Sequence, residues 1–294
     1  MIKLLFLDLD GTLLNKSGEV TKETLEAIRK GRRYGIKVCI ATGRSISRTK
    51  PLAKFIDGFK FDDYVICLNG SKIYKFTNDI LNQVESHPII EEDAQMIFKK
   101  ANDLGLTVLG YGEKDTKYYT NKRFSLLSMF VKRTSGLQPI KYKGEKLLDE
   151  SISKFLIKGN NEKLNKMKKF LTKKEFEWCG SSYASDKSIE VSKKNINKLT
   201  GVKFVAKELG IEAKDIAYFG DGANDIKALK WVGHSYAMGN AIDEVKEVAK
   251  FRALSNNENG IIEPLEKYAA QLESTTVSSN TVLSDFAEPQ NEKK

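Results

Sequence analysis

Residues 6–15 read FLDLDGTLLN. An apolar run from Ile2 to Leu7, broken only by Lys3, ends on Asp8 and Asp10 with one residue between them, and Gly11 and Thr12 follow. A short apolar run of this kind reads as a buried strand. One aspartate after it, followed by glycine, is the chemistry of an ordinary turn. Two are harder to explain, because like charges close together repel and raise each other's pKa. A turn has no use for the second acid, whereas a divalent cation such as Mg²⁺ prefers hard oxygen ligands. The pair therefore directs attention to other acids, to a cation and to an anion-binding group elsewhere in the chain.

The remainder of the sequence supplies a rhythm. Residues 3–8 read as a strand and 21–34 as a helix, capped by Thr21 and ended by Gly35. Residues 36–41 form a second strand that runs into Thr42-Gly43-Arg44, and 64–68 a third that runs into Asn69-Gly70. Strand–helix–strand repeats with continuously apolar strands predict a parallel sheet covered on both faces. From about residue 82 to 187 the pattern changes. Amphipathic helices at 91–104 and 161–172 mix with short strands at 107–111, 118–121, 155–158, 176–179 and 189–191. The α/β rhythm then returns with helices at 198–209 and 223–230 and strands at 216–219 and 235–238. The expected fold is α/β: a Rossmann-like doubly wound parallel sheet over 1–81 and 188–272, with an inserted α+β module at 82–187. The last helix is expected to end near Leu272. Residues 273–294, rich in Ser, Thr, Asn and Glu, read as a disordered tail.

Composition removes several function classes. No apolar run is long enough to span a bilayer, and the first strand lacks a cleavage-site pattern. Cys39, Cys67 and Cys179 are scattered and odd in number, which argues against a disulfide framework and for the cytoplasm. No Cys or His cluster has zinc spacing. His87 and His234 lie far apart, so acid–base chemistry falls to carboxylates. The net charge of +10 comes mostly from Lys. Its densest run, 163–174, places Leu164, Met167 and Leu171 at helical spacing with lysines between them, which is an amphipathic surface helix rather than a nucleic-acid face. Neither nucleic acid nor membrane is an expected partner, and the chain reads as a monomer or weak homodimer.

Four groups fall at the C-terminal ends of core strands: Asp8/Asp10, Thr42, Asn69, and Asp221 with Asn224 and Asp225. That edge is where open α/β sheets bind ligands. Acids gathered there require a cation, and Mg²⁺ implies a phosphate. One carboxylate of the first pair can attack phosphorus, and its neighbour can protonate the leaving alkoxide and then activate water. Thr42 offers a hydroxyl and backbone donors to phosphate oxygens. Lys198, at a helix start, is the candidate for balancing the charge.

Joined in order, DLDGTLL at 8–14, ATGRS at 41–45, NINK at 195–198 and GDGANDI at 220–226 resemble the haloacid dehalogenase superfamily, in its Cof-like branch of capped phosphatases. AMGNA at 237–241 and SNNENGI at 255–261 add to the likeness. The resemblance implies Asp8 as nucleophile and metal ligand, and Asp10 as general acid/base with its carbonyl on Mg²⁺. It implies phosphate contacts from Thr42, Gly43 and Lys198, and metal contacts from Asp221, Asn224 and Asp225. Arg44 and Asn69 would line the mouth, and the module at 82–187 would be the cap that closes over a small phosphorylated metabolite, with sugar phosphates first among the classes. The branch usually carries glycine after the motif lysine, where this chain has Leu199, so the helix start there is a point of departure. Two rival readings share the sequence: a phosphomutase of the same fold, and a non-catalytic basic binding protein. Within the module, Tyr118, Tyr119, Lys132 and Arg133 face either the site or solvent.

Overall fold

The computed structural model describes residues 1–144, 148–185 and 187–285, with backbone only for 182–185 and 274–285. The chain opens with β1 (Leu4–Leu7), α1 (Lys22–Arg33), β2 (Lys37–Ala41), α2 (Ile46–Phe55), β3 (Tyr64–Cys67), β4 (Lys72–Thr77) and β5 (Ile80–Ser86). It continues with α3 (Glu91–Asp103), β6 (Thr107–Gly112), β7 (Lys117–Thr120), α4 (Leu126–Ser135), β8 (Gln138–Lys141), β9 (Ile152–Lys158), α5 (Asn161–Leu171), β10 (Cys179–Ser185) and β11 (Ser188–Lys193). It closes with α6 (Lys198–Glu208), β12 (Ile216–Gly220), α7 (Ile226–Trp231), β13 (His234–Ala237), α8 (Asp243–Val248), β14 (Phe251–Arg252) and α9 (Ile262–Asp285). Two compact units result. Met1–Cys39 and Ala206–Lys294 make the first, and Ile40–Val205 the second. Among the described residues no helix is long and apolar enough to cross a membrane.

In the first unit β1 is the anchor. Leu4, Leu5, Phe6 and Leu7 have no exposed surface, as a strand covered on both faces requires. It pairs in parallel with β12, Leu4 opposite Ile216 and Leu7 opposite Phe219, and β13 and β14 follow in parallel beyond. Lys37 N donates to Lys3 O and so starts β2 alongside β1. The Thr21 hydroxyl caps α1 by accepting from Thr24 N at 3.2 Å, and α1 packs against α9. The apolar signal of α9 stops near Leu272, yet the helix runs on to Asp285. Buried Leu265, Tyr268 and Ala269 fix its first turns, and a nucleated helix adds residues far more easily than it starts. The part of the expected tail beyond Asp285 lies outside the described residues.

The second unit holds the end of β2, which pairs in parallel with β3, and the antiparallel strands β4 and β5. It also holds a six-stranded sheet in the order β10-β11-β9-β6-β7-β8. One face of that sheet, with Val108, Phe155, Ile157, Ile189 and Val191, packs on Ile97 and Phe98 of α3 and on Leu164 and Met167 of α5. Part of the other face lies under α4, where Leu109 and Tyr118 meet Val131. The strand expected at 176–179 is absent. Lys174–Phe176 is a 3₁₀ turn, and the strand begins at Cys179. Phe176 is buried against Phe170 and Trp178, so its apolar character serves an aromatic cluster and not a ladder.

The loop after β3 reaches the start of α6 through Gly70. Its φ is +92°, and a Cβ there would lie 2.2 Å from Asn197 O. Gly70→Ala is expected to destabilise the protein by about 2–4 kcal/mol, from left-handed strain and a backbone clash that no rotamer relieves. The urea midpoint should fall with the slope unchanged, and an unaltered midpoint would refute the close packing of this loop.

Candidate active site

The parallel ladder carries one residue past β1. Asp8 N donates to Phe219 O at 3.2 Å, which sets Asp8 at the strand end, 6% exposed. The chain then turns tightly, with Leu13 N donating to Asp8 O and Leu14 N to Leu9 O. Asp10 sits on this turn and is exposed. Gly11, at φ +82°, faces the Asp221 carboxylate so closely that a Cβ would stand 2.2 Å from Asp221 Oδ2. Only a residue without a side chain lets the two loops approach this far. The Thr12 hydroxyl completes the contact by donating to Asp221 Oδ1 at 3.1 Å.

Asp221 follows β12 directly. The turn behind it is held by Asp225, whose Oδ2 accepts from the N–H groups of Asp221 and Gly222, each at 3.1 Å. The Tyr218 hydroxyl donates to the other oxygen, Oδ1, at 2.7 Å. Burial first, then the charges of Asp225 and Asp8, push the Tyr218 phenol well above its ordinary 10.0, so it stays protonated as a fixed donor. Asn224 is exposed, with its Oδ1 beside Gly222. Helix α7 begins only at Ile226, three residues later than its pattern predicts, because residues 223–225 are used in this turn.

Asp8, Asp221 and Asp225 each bring a carboxylate oxygen within 4.8 Å of the others, and Asp8 and Asp225 are buried. Two unit charges about 5 Å apart at an effective dielectric of about 20 repel by about 3 kcal/mol. A hard, all-oxygen donor set of this charge fits Mg²⁺. A second ring of bonds holds the first loop. Asn240 Nδ2 donates to Gly11 O at 2.8 Å, Asn256 N donates to Asn240 Oδ1 at 3.0 Å, and Asn256 Nδ2 donates to Leu14 O at 2.7 Å. The motifs at 237–241 and 255–261 thus brace the turn that carries the aspartate pair.

The other predicted residues belong to the second unit. Thr42 continues β2, with its N–H on Ile66 O and its hydroxyl accepting from Arg44 N at 3.2 Å. Asn69 N donates to Thr42 O, and Leu68 N to Arg44 O, so the loops after β2 and β3 are tied together. Gly43 lies against the Asn69 side-chain oxygen. Leu68 and Asn69 both take left-handed backbone angles, φ 51° and 56°. That conformation is unfavourable for leucine and gathers at functional loops. Lys198 is fully buried as the first residue of α6. The Leu199 departure does not disturb this start, because Asn197 Oδ1 accepts from Leu199 N at 3.1 Å and caps the helix.

Within the second sheet, Tyr118 is buried with its hydroxyl on Ser128 O, Tyr119 bonds Asp149 and Glu150, and Lys132 and Arg133 are exposed. Tyr218, Asn240, Lys154 and Glu190 were not singled out from the sequence. Glu190 Oε2 accepts from Asn69 Nδ2 at 3.0 Å, and Glu190 Oε1 pairs with Lys154 Nζ at 2.6 Å.

Comparison with known proteins follows the same lines. The profile of the haloacid dehalogenase-like hydrolases matches residues 5–265. A Bacillus subtilis 5-amino-6-(5-phospho-D-ribitylamino)uracil phosphatase, YcsE, is 30% identical over 91% of this chain and 96% of its own. A second B. subtilis phosphatase with the same printed substrate, YwtE, is 30% identical over 88% of this chain and 96% of its own. A crystal structure of a haloacid dehalogenase-like hydrolase from Bacteroides thetaiotaomicron superposes with a TM-score of 0.80 at 24% identity, covering 91% of this chain and all of that one.

Tyr218→Phe removes the phenol that donates to Asp225 Oδ1. Stability near pH 7 is expected to fall by about 1–2 kcal/mol, as for a buried charge-assisted hydrogen bond. The folded-state pKa is raised, so the unfolded chain releases this proton first. The stability held below pH 10.0 is therefore lost as pH rises beyond it. Denaturant titrations from pH 7 to 11 should show a shallower alkaline slope in Tyr218→Phe than in wild type. Identical slopes would refute the assignment.

Proposed function

The chain belongs to the haloacid dehalogenase-like hydrolases and is a phosphatase of that family, and we propose that it is Mg²⁺-dependent, acts on small phosphorylated metabolites with sugar phosphates first, and works through an aspartyl-phosphate. The observation that carries this reading is the trio Asp8, Asp221 and Asp225 within 4.8 Å. Carboxylates this close repel, which a cation between them would offset, and Asp8 stands at a strand end, where a reacting phosphorus can meet it. The two relatives at 30% identity cleave a phosphate from a ribityl chain, which supports a small polyhydroxylated substrate.

In this mechanism an Asp8 carboxylate oxygen attacks phosphorus. The bond from phosphorus to the ester oxygen breaks, and Asp10 gives its proton to the departing alkoxide. Asp10 then takes a proton from water as the water oxygen attacks the phospho-aspartate, which releases inorganic phosphate and restores Asp8. Asp8, the Asp10 carbonyl and Asp221 would hold Mg²⁺, with Asn224 and Asp225 beside them. When bound, the ion offsets the charge of the phosphate and of the carboxylates. Asp225 acts chiefly by ordering the turn that presents Asp221. Thr42, Gly43 and the buried ammonium of Lys198 bind the phosphate oxygens, and Arg44 and Asn69 border the leaving group. Residues 82–187 serve as the cap that excludes water and selects the substrate.

Phosphate release from a panel of sugar, polyol and cofactor monophosphates tests this, with Mg²⁺ and with EDTA. Release should require Mg²⁺, vanish in Asp8→Asn, and fall by about 10²–10⁴-fold in Asp10→Asn. Full activity of folded Asp8→Asn would exclude the covalent route, and full activity in EDTA would exclude the metal.

A further inference from the structure

The face of the six-stranded sheet opposite α3 and α5 carries polar side chains that the chemistry above does not use. Tyr111 on β6 stands directly across from Lys154 on β9. Glu190 on β11 stands across from Leu156, two residues along from Lys154, so the three share one face. Lys154 is 3% exposed, and its Nζ lies 2.6 Å from Glu190 Oε1. The second Glu190 oxygen accepts from Asn69, whose backbone N–H is bonded to Thr42 O. The Tyr111 phenol lies in the fields of both Glu190 and Arg48 of α2. Burial and Glu190 push its pKa up to about 12 against the opposing pull of Arg48, so the hydroxyl remains a donor. Among the described residues no hydrogen bond reaches it.

An ion pair whose lysine is buried and whose glutamate is half-buried is a poor way to stabilise a sheet, because desolvation of the ammonium offsets much of the attraction and apolar residues of similar size do as well. This pair is kept where the sheet meets the strained loop of Leu68 and Asn69. A carboxylate accepts, an ammonium and a phenol donate, and a side-chain amide lies beside them. A hydroxyl both donates and accepts, so neighbouring hydroxyls match such a set. A flat apolar ring would instead require an apolar lining.

We propose that Glu190, with Lys154 and Tyr111, is the subsite that receives the hydroxylated part of the leaving group, and that it makes this phosphatase select sugar and polyol monophosphates over plain alkyl esters. This rests on the reading of Thr42 and Asn69 as the border of the phosphate site. Sites built to bond a substrate hydroxyl discriminate strongly against analogues that lack it, because their own polar groups are then left unpaired.

The test compares kcat/KM for ribitol 5-phosphate and ribose 5-phosphate with that for n-pentyl phosphate, in wild type, Glu190→Gln and Tyr111→Phe, each checked by thermal melting. Wild type should favour the better hydroxylated ester by about 100-fold or more. That ratio should fall at least about ten-fold in Glu190→Gln, mainly through KM on the hydroxylated ester, and about three-fold or more in Tyr111→Phe. Tyr111→Phe removes one oxygen and keeps the ring, so it decides the matter if Glu190→Gln does not fold. A wild-type ratio near one, or a ratio unchanged in the folded variants, overturns the subsite while the phosphatase reading stands. Hydrolysis of neither ester class by folded, Mg²⁺-loaded wild type overturns that reading, and the subsite with it.

Discussion

Mutual repulsion among Asp8, Asp221 and Asp225 is the constraint to which the first unit is built. Three carboxylates within 4.8 Å of one another are an unfavourable arrangement that the chain holds with bonds placed around it. The β1–β12 ladder fixes Asp8, the Asp221 and Gly222 amides hold Asp225, and Thr12 meets Asp221. Asn240 and Asn256 fasten the loop between β1 and α1 from outside. Each of these polar residues has a partner that explains its presence. The acidic cluster is thus assembled by the protein's own hydrogen bonds, which is the arrangement the Mg²⁺ proposed above would require.

What the sequence made legible follows from which forces are local. β1 reads correctly because a strand buried on both faces is continuously apolar, and α1 because Thr21 caps it and its apolar positions recur at helical spacing. Asp8 and Asp221 stand out because Asp8 is paired with Asp10 and further acids fall at the ends of core strands, more than a turn needs. Tyr218 does not, since a tyrosine inside an apolar strand looks like core, and its hydroxyl partner lies beyond the turn. α2 is hidden by Pro51 and a weak amphipathic pattern. α4 is hidden because Phe124 and Leu126, beside its start, are each 87% exposed and break the expected stripe. Glu190 in an alternating strand looks like a solvated position. Its partner Asn69 is 121 residues away, and pairing over that distance leaves no mark on either neighbourhood.

Lys198 combines burial with an uncommon position on its helix. The N-terminal end of a helix carries partial positive charge, so cations are favoured at the opposite end. Lys198 is the first residue of α6 and has no exposed surface, which puts an ammonium at the less favourable end and removes it from water. The Asn197 cap and Gly70, packed against the Asn197 carbonyl, keep it there. Helix N-termini favour anions, and this placement is consistent with the phosphate role proposed above for Lys198. Glycine after the lysine is not needed for this, because the electrostatics depend on where the helix starts. Here the start is set by Asn197 and not by the flexibility of residue 199.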